Sequence, residues 1–346
     1  MGVLRMNGRF VALAAIALAS FHIAGAFARE EGDEEIFLAP YDQSATWTFV
    51  WENDYFADTD RNYTNGVRIS YLSGFKSPKG VSEFIAQELL GADEEAGIRR
   101  GFAIGHSIFT PQDILTAEPL PDQHPYGAWL YGEYSVVVEQ RNIIDQFSFQ
   151  AGLVGPSAGG EFVQNNWHKL IGGKSANGWD NQIGDELGIV LSYERKLRAL
   201  ASIGDGAFSV DLTPSYGFSV GNIYTNTRAG LTLRFGTDLK NDYGPPRVRP
   251  SLAGGGYFSP RDKFSWYFFG GAEGRAVAHD IFLDGSLFRK SDPSVPSNIF
   301  VGDFQTGLVM QIQRIQIAYT YVLRTKEFKP QSDDQQFAAV SVSAKF

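Results

Sequence analysis

Apolar and polar residues alternate with a period of two through most of this chain. Along 304–312, Phe304, Thr306, Leu308, Met310 and Ile312 share one side, and Asp303, Gln305, Gly307, Gln311 and Gln313 share the other. Around 264–276, Phe264, Trp266, Phe268, Gly270, Ala272 and Ala276 oppose Ser265, Tyr267, Glu273 and Arg275, so the charges keep to one side. Successive side chains of a strand point to opposite faces, and each segment therefore has an apolar face and a polar one. Twelve such segments stand out, near 46–54, 64–73, 100–109, 127–139, 143–154, 185–198, 207–220, 224–236, 264–277, 303–313, 315–326 and 336–346. Weaker pieces lie near 251–258 and 279–289. The last segment alternates Val340, Val342, Ala344 and Phe346 with Ser341, Ser343 and Lys345, and ends the chain on an aromatic.

Composition sharpens this picture. The chain holds 27 Phe, 15 Tyr and 6 Trp, and beyond the first 28 residues it has no apolar run of the ~18 residues that a membrane helix needs. Alternating segments of about ten residues with aromatic ends are the pattern of a transmembrane β-barrel. Strand counts in single-chain bacterial barrels are even, so the expected fold is all-β, an antiparallel barrel of about twelve strands with one short helix in an extracellular loop. A soluble β-sandwich would alternate as well, but it explains neither the terminal Phe346 nor the aromatic load. Closure leaves no sheet edge, so 46–346 reads as a single barrel domain.

Residues 1–28 read as a secretory signal peptide. Arg5 and Arg9 precede an apolar run, and Ala26-Phe27-Ala28 forms a small-residue cleavage site. Residues 29–45 begin with an acidic stretch and read as a flexible N-terminal segment. The mature chain is expected in the bacterial outer membrane, among its lipids, as a monomer. A formal charge of −9 argues against nucleic acid as a partner. The absence of cysteine excludes disulfides and thiolate chemistry, leaving oxygen or imidazole for any metal.

Two segments carry candidate chemistry. Residues 51–66 crowd Glu52, Asn53, Asp54, Asp58, Thr59, Asp60, Asn62, Thr64 and Asn65 into one turn and its flanks. A turn alone needs one or two such residues, so the segment suggests a calcium or substrate site. It is not an EF-hand, because Tyr63 replaces the turn glycine and Ile69 the closing glutamate. The second segment, 161–171, is free of Gly and Pro, is bracketed by glycines, and reads as a short helix. Four residues apart, Gln164 and His168 share one face, with Phe162, Val163 and Ile171 free to pack. Imidazole suits general-base work at neutral pH, although a histidine satisfied on a loop helix is the plainer reading. Gly155-Pro156-Ser157-Ala158-Gly159 matches a nucleophile elbow only in letters, since that motif needs an α/β sheet.

Glu52-Asn53-Asp54, then Thr59-Asp60-Arg61-Asn62-Tyr63-Thr64-Asn65-Gly66, then Pro125-Tyr126 with Trp129-Leu130-Tyr131, then Gly155-Pro156 through His168 together resemble the outer-membrane lipid A 3′-O-deacylase family. The resemblance implies a twelve-stranded barrel that hydrolyses the 3′ acyloxyacyl ester of lipid A, the lipid part of lipopolysaccharide, with Ca2+. It carries the family's functional residues onto Asn53, Asp54, Thr64, Gln164 and His168, with Asp54 and Asn53 nearest the metal. Two departures stand out. A family glutamate falls at Lys174, and a family lysine after the third strand finds no counterpart through Tyr126, leaving His124 or Arg141 as alternative cations.

Two questions stay open at this level. Asn53 and Asp54 would point to opposite faces of a regular strand, so either the strand ends there or a bulge redirects one side chain. Thr64 alternates into register with Gly66, Arg68 and Ser70, and the site could open to the lumen or to the outer leaflet. Other functions compatible with the barrel are a non-catalytic pore or structural protein, with Glu273, Arg275 and Arg324 lining a channel, and a phospholipase.

Overall fold

A computed structural model describes residues 43–54, 62–75, 77, 79–204, 208–245 and 256–346. Residues 1–28, expected to be a signal peptide, most of 29–45, expected to be a flexible N-terminal segment, and Asp58, Thr59, Asp60 and Arg61 of the acidic turn lie outside the described residues.

The strands are β1 Thr46–Asn53, β2 Asn62–Leu72, β3 Gly97–Thr110, β4 Gly127–Gln140, β5 Ile143–Val154, β6 Glu186–Leu197, β7 Ala201–Ile203, β8 Ser209–Gly221, β9 Tyr224–Gly236, β10 Arg261–Asp280, β11 Phe300–Gln313, β12 Ile315–Arg324 and β13 Gln335–Lys345. All twelve expected segments are strands, and neighbours in sequence pair antiparallel around one sheet. β1 pairs with β13, from Thr46 against Lys345 to Asn53 against Ala338. β6 pairs with β8, from Val190 against Gly221 to Lys196 against Ser215, and this pairing closes a twelve-stranded barrel. The three-residue β7 only borders β8. Of the weaker pieces, 279–289 yields the short helix Ile281–Asp284, and 251–258 contributes an isolated bridge from Phe258 to Asp242.

The two faces sort as the alternation requires. Phe264, Phe268, Phe304, Met310 and Ile312 are exposed on the outer wall, where lipid would cover them, while Ser265, Tyr267, Asp303 and Gln311 are buried inside. Among the described residues, inward side chains pack across the lumen toward both rims. At the rim where β1 begins and β13 ends, residues 237–245 and 256–259 fold into the barrel. There Arg234 pairs with both Asp211 and Asp242, and the Tyr267 hydroxyl donates to Asp242 at 2.6 Å. Glu139 accepts from Arg198 at 2.8 Å and from the Tyr243 hydroxyl at 2.5 Å. Arg99 lies 3.8 Å from the ring centres of both Phe75 and Tyr257.

Toward the opposite rim, Tyr63, Phe109, Trp129, Tyr131, Tyr224, Phe282 and Phe337 form one packed cluster. Arg324 and Arg275 do not line a channel. Both engage Asp303 and Glu327, with the Arg324–Asp303 contact at 2.8 Å.

That opposite rim carries the loop helix Gly160–Ile171, one residue longer than the sequence predicts. The helix stops where Gly172 takes φ 74°, a left-handed value that costs glycine little, and the Gly173 amide donates back to the His168 carbonyl at 2.7 Å. Its N-terminus lies on the outer wall. A Cβ on Gly160 would sit 2.6 Å from both the Ala128 Cβ and the Trp179 ring. Beneath it Ile108, Tyr126, Ala128, Ala158, Ala176 and Trp179 form a small apolar layer that fastens helix to barrel.

Candidate active site

The sequence-predicted site residues come together on the outside of the barrel, in a cleft between the loop helix and the upper wall of β1 and β2. The cleft encloses about 690 Å³. Phe49, Trp51 and Val67 form its lower wall, Val163, Trp167 and Ile171 its helix side, and Gln112 to Leu115 its far edge. Phe49 and Val67 belong to the same outward row that faces lipid further down, so the cleft is continuous with the lipid-facing surface. Trp51 and Trp167 meet edge to face across it, ring centres 5.6 Å apart.

Asn53 and Asp54 line this cleft together because β1 ends at Asn53 and the chain bends at Asp54. The alternation rule holds up to Asn53, which follows Trp47, Phe49 and Trp51 on the outer row, and lapses with the strand. Asp54 is only 1% exposed. Asn65 accepts from the Trp51 indole at 3.0 Å and from the Asn53 amide at 3.2 Å, tying the end of β1 to β2.

Thr64 does not keep the register expected of it. β2 bulges against β3, where Tyr63 pairs with Phe109 and Asn65 with Ile108, so Thr64 has no partner in the ladder. The extra residue lets Tyr63 and Gly66 both turn inward, with the Tyr63 hydroxyl donating to Glu52, and it releases Thr64 toward the cleft. There its hydroxyl shares a 2.7 Å hydrogen bond with that of Thr110.

On the helix, Gln164 and His168 are buried on the shared face that the four-residue spacing predicts. Val163 and Ile171 line the cleft, whereas Phe162 is 74% exposed rather than packed. Trp179 donates its indole N–H to Gln164 Oε1 at 2.8 Å. That bond fixes the amide, whose Nε2 is buried without a hydrogen-bond partner among the described residues. His168 Nδ1 donates to the Lys174 carbonyl at 2.5 Å. With the proton held on Nδ1, Nε2 of the neutral ring carries the lone pair.

Among the described residues few charges line the cleft. Hydrogen bonds from the Thr116 hydroxyl and the Leu115 amide hold the Asp113 carboxyl below the usual carboxylate range, so the far edge is anionic. Asn53, Asp54 and Thr64 offer amide, carboxylate and hydroxyl oxygens, donors that suit a hard cation such as calcium. Among the described residues no group of three or more His, Cys, Asp or Glu gathers around a metal-sized point.

The alternative cations do not reach the cleft. His124 is buried, stacked on Phe109 with ring centres 5.5 Å apart, and Arg141 takes φ 55° in the tight β4–β5 turn at the other rim. Ser157 bonds Asp185 at 2.9 Å in the short 3-10 turn between β5 and the loop helix, which belongs to an antiparallel barrel and not to the α/β sheet a nucleophile elbow needs.

The family model described as outer membrane protein LpxR matches residues 11–346. The chain belongs to the LpxR family. Among solved structures, LpxR from Salmonella typhimurium is similar at 19% identity and a TM-score of 0.70, covering 87% of this chain and 100% of that one. The β domain of the Bordetella autotransporter Brka is similar at 10% identity and a TM-score of 0.46, covering 88% and 100%. No curated protein sequence matches the chain. An outer-membrane barrel of the LpxR family is what the sequence led us to expect.

Sequence reasoning missed Trp179, Thr110 and the carbonyl of Lys174. An isolated Trp in a polar loop was the one available signal, for Trp179. A main-chain carbonyl leaves none.

Proposed function

We propose that this LpxR-family barrel removes the 3′-O-linked acyloxyacyl chain from lipid A by calcium-dependent hydrolysis, with His168 activating the water. The observation that carries this reading is His168 itself, its Nδ1 committed to a carbonyl and its Nε2 left basic in a cleft continuous with the lipid-facing wall. A substrate anchored in the outer leaflet can enter such a cleft from the side, without passing through the lumen.

In this reading the ester carbonyl lies between His168 and Gln164. Nε2 of His168 takes a proton from water as the water oxygen attacks the carbonyl carbon. The Nε2–H of Gln164, unpartnered among the described residues, donates to the oxygen as it gains charge. The protonated His168 then returns its proton to the departing 3′ oxygen, giving a free acid and a 3′ hydroxyl. Asp54 and Asn53 would hold the calcium ion, with Thr64 adjacent. A bound calcium would polarise the ester carbonyl. Trp51, Trp167, Phe49 and Val67 offer the acyl chain an apolar bed.

The test is mass spectrometry of lipid A from cells expressing the chain, against His168→Ala, with calcium or with chelator. Loss of an acyloxyacyl mass that needs both His168 and calcium supports the whole reading. Loss that persists in His168→Ala refutes the base, and loss that persists in chelator refutes the metal. An unchanged spectrum from folded wild-type barrel refutes the deacylase. N-terminal sequencing of the same membrane-inserted protein checks cleavage after Ala28.

A further inference from the structure

We propose that the Lys174 ammonium is the residue that selects for a phosphate group on the anionic glycolipid seated in the cleft. This rests on the deacylase reading and adds the headgroup chemistry it recognises. Lys174 lines the cleft, and among the described residues it is the single Lys or Arg of that lining. Its side chain is exposed and, among the described residues, pairs with no carboxylate. The other charged groups of the lining are acidic, Asp54 and Asp113, in a chain of formal charge −9. Among the described side chains a phosphate would meet like charge at Asp113 and an attractive one at Lys174, while the calcium ion of the deacylase reading would occupy Asp54. The segment that presents Lys174 is anchored twice. Its carbonyl accepts from His168 Nδ1 at 2.5 Å, and two residues on, the Ala176 amide donates to Asn165 Oδ1 at 2.8 Å. The main chain thus orients the base while the side chain offers a cation at the mouth, two roles that substitution can separate.

The experiment uses full-length protein purified from membranes in detergent, with bisphosphorylated lipid A and its enzymatically dephosphorylated form as substrates. Lys174→Gln keeps the carbonyl that holds His168 and removes only the charge. The expected result is a roughly tenfold fall in the preference for phosphorylated substrate, expressed as the ratio of kcat/KM values and carried by KM, as for loss of one charge-assisted hydrogen bond. Lys174→Arg should restore most of the preference and Lys174→Glu should lower it further. A purely structural role would depress both substrates alike, and an unchanged ratio overturns the proposal. If wild type hydrolyses neither lipid, the deacylase reading falls, and binding of the two lipids, read from tryptophan fluorescence, decides this one. Phosphate-dependent binding weakened by Lys174→Gln supports it, and binding indifferent to either change overturns it.

Discussion

Replacing Gln164 by Glu exchanges one NH2 group for an oxygen at the centre of the cleft. In the native chain Trp179 donates to Gln164 Oε1 at 2.8 Å, and Nε2 is buried without a hydrogen-bond partner among the described residues. The variant keeps an acceptor for the indole, so helix and wall should stay assembled. What it loses is the amide donor that the proposed mechanism gives to the carbonyl oxygen, and it puts an anionic oxygen in its place. A single preorganised oxyanion donor contributes about 2.7–4 kcal/mol, so kcat should fall by about 10²–10³ with a smaller change in KM. The assay is release of acyloxyacyl acid from lipid A micelles, with heat-dependent migration in detergent gels confirming a folded barrel. A folded Gln164→Glu protein with kcat within about threefold of wild type would refute the oxyanion role. Trp179→Phe offers a cross-check, because it frees the amide to rotate. Its loss should be smaller, and the double variant should be little worse than Gln164→Glu alone, since both act through one atom.

Three further outcomes follow from the packing. Gly160→Ala puts a Cβ 2.6 Å from the Ala128 Cβ and the Trp179 ring, so the helix must lift from the wall. Urea denaturation should register about 1–3 kcal/mol of destabilisation, and hydrolysis should slow at least tenfold although no cleft side chain has changed. Arg234→Leu leaves the buried Asp211 and Asp242 carboxylates without their shared cation, and the urea midpoint should drop by the equivalent of about 3–5 kcal/mol. Burial pushes the His124 pKa below its ordinary value, so below that value the opened loop binds more protons than the closed one. The 111–126 loop should therefore be secure above the ordinary histidine value and loosen as pH falls through it toward the folded value. Hydrogen exchange at pH 7.5 and 5.5, corrected for intrinsic rates, should show this in wild type and not in His124→Phe.

The period-two pattern by itself determined the strands, their two faces and the closed barrel, because side chains of a strand must alternate and only a closed sheet leaves no unpaired edge in lipid. Spacing also put Gln164 and His168 on one helix face, since four residues make about one turn. The tertiary structure alone decided which side of the wall the site occupies. Thr64 reaches the cleft through a bulge, and a bulge depends on how β2 registers against β3 rather than on the residues of β2 alone. Asp54 joins Asn53 because the strand stops between them, which reflects where pairing with Asn65 ends. The tautomer of His168 rests on a main-chain carbonyl, a group every residue possesses. The lumen was legible as polar but its packing was not, because buried partners such as Arg234 and Asp211, or Glu139 and Tyr243, are chosen by closure of the barrel. Local periodicity follows from the geometry of neighbouring residues, whereas a cleft joining residue 54 to residue 168 exists only once long-range pairing has brought them together.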